Sequence, residues 1–160
     1  MKIIVLGCGR VGSTLAAALT KGGHHVAVID RDQAAFDKAV QRLGADFTQD
    51  IVRGVGIDDD VLRQAGIEQA DCFISVTSGD NTNIVAAQIA KHRYNVPKVL
   101  ARVYDPIRAD VYREAGIETI CTTLLSVGMF HDLLLGRPLR NCSDYLSLPS
   151  AETKPEAAGA

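Results

Sequence analysis

Short, nearly continuous apolar runs alternate with segments of helical periodicity along this chain, and that alternation is the strongest constraint on its fold. The runs are Lys2–Leu6, His25–Ile29, Asp46–Gln49, Cys72–Val76, Val99–Val103 and Thr119–Cys121, the third and sixth being the weakest. Such runs suit strands covered on both faces. Between them, Val11–Lys21, Gln33–Leu43, Asp59–Ala65, Thr82–His92 and Ile107–Ala115 repeat apolar residues every three or four positions, and Gly22, Gly44, Gly66 and Gly116 mark helix stops. Short strand-to-helix connections require parallel strands joined by right-handed crossovers. The expectation is an α/β fold: one Rossmann-type, doubly wound, parallel six-stranded sheet, followed by a further amphipathic helix over Leu124–Leu135. Pro138, Pro149, Pro155 and the closing AETKPEAAGA set residues 137–160 apart as an irregular, disordered tail, leaving 1–136 as the domain.

A chain of 160 residues buries one good core and leaves no room for a second, catalytic domain. Its 17 basic and 19 acidic residues nearly cancel, and no Lys/Arg run has the density of a nucleic-acid or lipid-binding patch, so no nucleic-acid partner is expected. The sequence enters a strand almost at once, without a signal-peptide pattern, and no apolar run approaches the roughly 20 residues that span a bilayer. A soluble, cytoplasmic protein is expected. Cys8, Cys72, Cys121 and Cys142 share no metal or redox spacing and read as reduced, mostly buried small residues.

The stretch VLGCGRVGSTLA follows the first strand and opens the first helix, which gives its Gly-x-Gly-x-x-Gly a structural address. In that setting Gly7 allows a tight turn, Gly9 lets a pyrophosphate approach the backbone, and Gly12 lets the helix pack on the strand. Free amides at the helix start and the helix dipole favour an anion. Asp30 ends the second strand about 18 positions after Gly12, the place of a ribose-binding acid. Its carboxylate can accept from both ribose hydroxyls and would repel a 2′-phosphate, which favours NAD or ATP, ADP or AMP over NADP.

Arg10 departs from a plain dinucleotide loop: its guanidinium can pair with phosphate oxygens or stand in solvent. Arg102, near the end of the fifth strand, reaches the sheet edge where ligands of open α/β folds bind. Arg31 can stack on adenine or point into water. Tyr94 and Lys98 match the Tyr-x-x-x-Lys of short-chain dehydrogenases, but Pro97 breaks any helix across the pair. His24, His25, His92 and His131 are scattered without a carboxylate or nucleophile pattern, and Ser13 reads as helix surface rather than nucleophile. Catalysis has no support in these residues; a small NAD-dependent oxidoreductase, or the cofactor half of one, is the alternative.

Taken in order, VLGCGRVGSTLA, VIDRD at 28–32, GVGIDDDVLRQAGIEQAD at 54–71, SVTSGDNTNIVAAQIAK at 75–91 and VLARVYDP at 99–106 resemble the KTN, RCK-N or TrkA-N domain of potassium uptake and channel regulators. The resemblance covers roughly residues 1–135. It implies a cytoplasmic, nucleotide-sensing regulatory subunit, peripheral to the inner membrane face, that gates a potassium transporter or channel through inter-subunit rearrangement. It also implies a homodimer or higher oligomer, an octameric ring in many members, sometimes with a second RCK chain, and binding of NAD(H), ATP, ADP or AMP. By the same likeness Gly7, Gly9, Arg10, Val11 and Gly12 cradle phosphates, Asp30 holds ribose, and Arg31 flanks adenine. The Gly54–Asp58 segment, with Gly54, Val55 and Asp58, lines the base; Thr77 borders the phosphates and Arg102 reaches a distal one. Leu124–Leu135 becomes the C-terminal crossover helix that pairs subunits.

Three departures qualify the likeness. Gly54-Val55-Gly56-Ile57 replaces the Gly-Asp-Ala-Thr of many members, removing a side-chain contact to adenine and matching a TrkA-like subgroup. Thr122 and Thr123 stand where some ATP-binding members place a cation-holding glutamate, so no metal is expected. The C-terminal RCK-C domain of most members has no counterpart in this sequence, which makes it a stand-alone KTN protein or a fragment.

Overall fold

The computed structural model describes residues 1–44, 47 and 50–146. Six strands, β1 (Lys2–Leu6), β2 (His25–Asp30), β3 (Asp50–Arg53), β4 (Cys72–Ser75), β5 (Lys98–Val103) and β6 (Glu118–Cys121), form one sheet in the order β3-β2-β1-β4-β5-β6. Every pairing is parallel. The expected strand Asp46–Gln49 falls, apart from Phe47, outside the described residues; the third strand of the sheet is Asp50–Arg53, whose exposed Asp50, Ile51 and Arg53 gave little apolar signal.

The helices are α1 (Arg10–Lys21), α2 (Gln33–Leu43), α3 (Asp59–Gln64), α4 (Asp80–Gln88), α5 (Pro106–Glu114) and α6 (Thr122–Leu134). A π-helical turn, Ile89–Arg93, extends α4. Alternate residues of each strand serve opposite layers, which is why the strands read as continuous apolar runs. Ile3, Val5, Val26 and Val28 pack with Ala16 of α1 and with Phe36 and Ala39 of α2. Ile4, Leu6, Ile29 and Phe73 face the other way, against Leu62 of α3 and Ile84 of α4, and this second core continues past Ala109 of α5 to Leu124 of α6. Because α1 and α2 lie on one face and α3 to α5 on the other, the chain reverses direction across the sheet between β1 and β4. In open α/β sheets that switch point is where a crevice opens beyond the strand ends.

Residues 137–146, the near part of the expected tail, pack back onto α6; 147–160 lie outside the described residues. The buried Tyr145 ring lies so close to Gly128 that a Cβ there would sit 2.3 Å from it. The Tyr145 hydroxyl donates to Asp132 Oδ2 (3.0 Å), and Arg140 Nε donates to the same oxygen (2.9 Å). Asp132 is only 2% exposed, so this clasp replaces the water its carboxylate gave up.

The hydrogen bond from Arg140, reinforced by that from Tyr145 and opposed by burial, holds the Asp132 carboxyl below its usual range. A carboxyl depressed in the folded state stabilises above its unfolded pKa of about 4 and loses that contribution as pH falls through the lower folded value. Thermal melting should therefore find the protein more stable than Asp132→Asn at pH 7, with the gap narrowing as the pH is lowered toward about 3.

Candidate functional site

The glycine loop lies at the switch point. Gly7 has φ +105, and a Cβ on it would stand 3.0 Å from the Thr77 nitrogen, so the turn and the close backbone contact with β4 both require glycine. At Gly12 a Cβ would lie 1.8 Å from the Gly7 carbonyl oxygen, so α1 rests directly on the loop. Gly9 differs: a Cβ there would meet nothing within 4 Å. It is also the N-cap of α1, and among the described residues no side chain caps that helix. The amides of the first helical turn have no intrahelical acceptors, and the helix dipole adds positive potential at the same spot. Open space over Gly9, bounded by uncapped amides, fits a phosphate group.

Backbone and side-chain bonds fix the loop to β2. Gly7 N–H donates to the Ile29 carbonyl (2.7 Å), and Cys8 N–H donates to Asp30 Oδ2 (2.7 Å). Asp30 Oδ1 accepts from Asp32 N–H (3.0 Å). Asp30 thus shapes the loop, while an ionised carboxylate, with about four lone-pair positions, keeps capacity for further donors. Ser13, expected on the helix surface, is buried: its hydroxyl donates to the Gly9 carbonyl (2.7 Å) and accepts from the Arg42 guanidinium.

Gly54 N–H donates to the Asp30 carbonyl (2.9 Å), which brings the Gly54–Asp58 segment alongside. Gly54 and Gly56 are packing glycines, since a Cβ would press on Val61 and Leu6 respectively. Asp58 caps α3, accepting from the amides of Asp60 (2.9 Å) and Val61 (3.4 Å). Val55 and Ile57 are left exposed. The side chains of Arg10, Val11 and Arg31 are also exposed, and the Arg10 guanidinium makes no hydrogen bond or ion pair with the described residues.

The structure thus brings Gly7, Gly9, Arg10, Val11, Gly12, Asp30, Arg31, Gly54, Val55, Asp58 and Thr77 to one end of the sheet around β1, with Arg102 beside Thr77. Asn83 was missed by sequence reasoning. It is completely buried, its Oδ1 accepts from Thr77 N–H (2.8 Å) and Thr77 Oγ1 (2.7 Å), and its Nδ2 donates to the carbonyls of Thr77 and Arg102 (both 3.0 Å). The available signal was an amide side chain beside Ile84 on an otherwise apolar helix face.

Other candidates lie apart. Tyr94 bonds to Asp59 and Arg63, and Lys98 opens β5 at the opposite end of the sheet from the glycine loop. Cys8, Cys72 and Cys121 are buried, Cys142 is exposed, and burial, followed by the Asp30 charge, pushes the Cys8 thiol up to about 12. A thiol so shifted is protonated at neutral pH and is a poor nucleophile.

Fold and loop together define a class: a Rossmann-type α/β domain with a glycine-rich helix start at its switch point. The chain belongs to the TrkA-N domain family, whose model matches residues 3–123. It is similar to the Trk system potassium uptake protein TrkA of Streptomyces coelicolor, 53% identical over 122 residues, which cover 76% of this chain and 53% of that protein. A Trk system potassium uptake protein TrkA homolog of Methanothermobacter thermautotrophicus is 30% identical over 138 residues, 86% of this chain and 62% of the relative. The chain therefore spans between about half and three-fifths of the length of these two relatives. Among solved structures, GsuK bound to ADP superposes with a TM-score of 0.68 at 26% identity, over 82% of this chain and 33% of that one. Among the described residues no helix is long and apolar enough to cross a membrane.

The loop geometry separates two glycines of the same motif. Gly12→Ala should destabilise by about 1–3 kcal/mol, because its methyl meets backbone that cannot move aside. Gly9→Ala should stay within about 0.5 kcal/mol. Urea denaturation of the two variants measures both.

Proposed function

We propose that this chain is a non-catalytic, nucleotide-sensing regulatory domain of a potassium uptake system or channel, acting on the cytoplasmic side of the membrane through a pore-forming partner. The observation that carries the reading is the open, uncapped helix start at Gly9, flanked by Asp30 and by the Arg10 guanidinium, which has no partner among the described residues. Family membership supports it, as does the ADP held by GsuK. The ligand is NAD(H) or an adenine nucleotide: amides of Gly9, Arg10, Val11 and Gly12 hold its phosphates, Asp30 accepts from the ribose hydroxyls, and exposed Val55 offers apolar surface to the base beside Arg31. No metal is assigned.

The mechanism is a population shift. A nucleotide that binds one inter-subunit arrangement more tightly moves the assembly toward it, and the difference in affinity sets how far. The subunits meet through α6, which exposes Phe130 (74%) and Leu134 (85%), side chains costly to leave in water. A second copy of this chain covers that face in a homodimer or a larger ring. Sedimentation velocity should show self-association that Phe130→Asp weakens; an unaltered distribution would remove α6 from the interface.

Arg10 gives the cleanest test of the ligand, because its guanidinium makes no bond among the described residues that its loss would break. Calorimetric titration with NAD, NADH, AMP, ADP and ATP should show binding. In Arg10→Ala the loss should grow with the number of phosphates, reaching about tenfold or more for ATP. Absence of binding by all five ligands would overturn the proposal, and equal losses for AMP and ATP would remove Arg10 from the phosphate contacts.

A further inference from the structure

Thr77 forms the wall against which Gly7 packs, and its amide, hydroxyl and carbonyl are all bonded within the protein. Its amide and hydroxyl both donate to Asn83 Oδ1 (2.8 and 2.7 Å). Its carbonyl accepts from Asn83 Nδ2 (3.0 Å) and from Arg102 Nη2 (2.6 Å), so both lone pairs are used. The same Nη2 donates its second hydrogen to the Val76 carbonyl (2.7 Å). The remaining Asn83 hydrogen goes to the Arg102 carbonyl (3.0 Å), tying the end of β5 to the end of β4.

Arg102 is held on its other side as well. Its guanidinium carbon lies 4.8 Å from the centre of the Tyr104 ring, and Tyr104 N–H is fixed by the Asp80 carboxylate (2.9 and 3.0 Å). A guanidinium nitrogen committed to two carbonyls, on a group stacked against an aromatic face, is a structural clamp; moving it to a phosphate would remove its bond to the Val76 carbonyl and one of the two bonds to the Thr77 carbonyl. Arg10, by contrast, has no partner among the described residues.

We infer that Arg102 and Asn83 are positioning residues, which hold the Thr77 backbone where Gly7 packs on it and so set the width of the cleft, without touching the phosphates. The inference rests on the nucleotide reading above for its effect on affinity, though not for its effect on Thr77 itself.

The experiment has two arms. AMP, ADP and ATP are titrated into wild type, Arg102→Ala and Arg102→Lys. Arg102→Ala should weaken all three by one common factor, about tenfold. Arg102→Lys, whose ammonium keeps the charge and three donors one bond short of Nη2, should recover part of that loss equally for the three nucleotides. A loss that climbs from AMP to ATP in both variants overturns the inference and makes Arg102 a phosphate ligand. In the second arm, amide hydrogen exchange is followed on nucleotide-free protein. Asn83→Ala should speed exchange of the Thr77 amide at least tenfold while the β1 and β2 amides stay protected; an unchanged Thr77 rate overturns the inference. Should Asn83→Ala fail to fold, Asn83→Ser, uncharged and too short to hold both Thr77 and the Arg102 carbonyl, should show the same uniform loss across the three nucleotides, and a graded loss would count against it. If wild type binds none of them, the nucleotide reading falls, and the exchange arm still decides the roles of Asn83 and Thr77.

Discussion

The backbones of Gly7 and Thr77 lie against each other where β1 and β4 end, and much else follows from that contact. It leaves no room for a side chain at residue 7, and the turn it permits lifts the start of α1 over the strand ends. The Gly7 carbonyl then meets Gly12 so closely that α1 takes one position only. Asp30 completes the arrangement from β2 by holding the Cys8 amide. The loop is thus fixed by the protein's own bonds, and donors held in place in this way lower the ordering cost of any binding that uses them.

Much of this was legible in the sequence because it depends on periodicity and on glycine. Continuous apolar runs announced strands buried on both faces, and the loop and Asp30 fell at the spacing that the first two strands require. The third strand was not legible at Asp50–Arg53, since an edge strand with Asp50, Ile51 and Arg53 exposed carries little apolar signal. Ser13 was misread for a related reason: a small hydroxyl residue looks like surface until the Gly9 carbonyl and the Arg42 guanidinium are known to flank it.

Side-chain commitments were the least legible layer. Asp58 sits in a segment read as lining a base, yet its carboxylate caps α3. Gly54 and Gly56 are explained by Val61 and Leu6 pressing on them. Asn83 had no motif to announce it, because a buried amide is identified by its four partners, and these come from residues 77 and 102 on two different strand ends. A sequence shows which groups can form bonds; only the fold shows which bonds are already made.

The clasp of Tyr145 on Gly128 has a consequence for symmetry. By sealing the stripe of α6 that carries Gly128 and Asp132, it leaves the helix a separate apolar stripe that includes Phe130 and Leu134. A helix with two sticky sides can bridge neighbours into an open array. A helix with one can satisfy itself against an identical copy across a two-fold axis and stop there, so covering one side of a helix from within the same chain limits how many neighbours that helix can bridge.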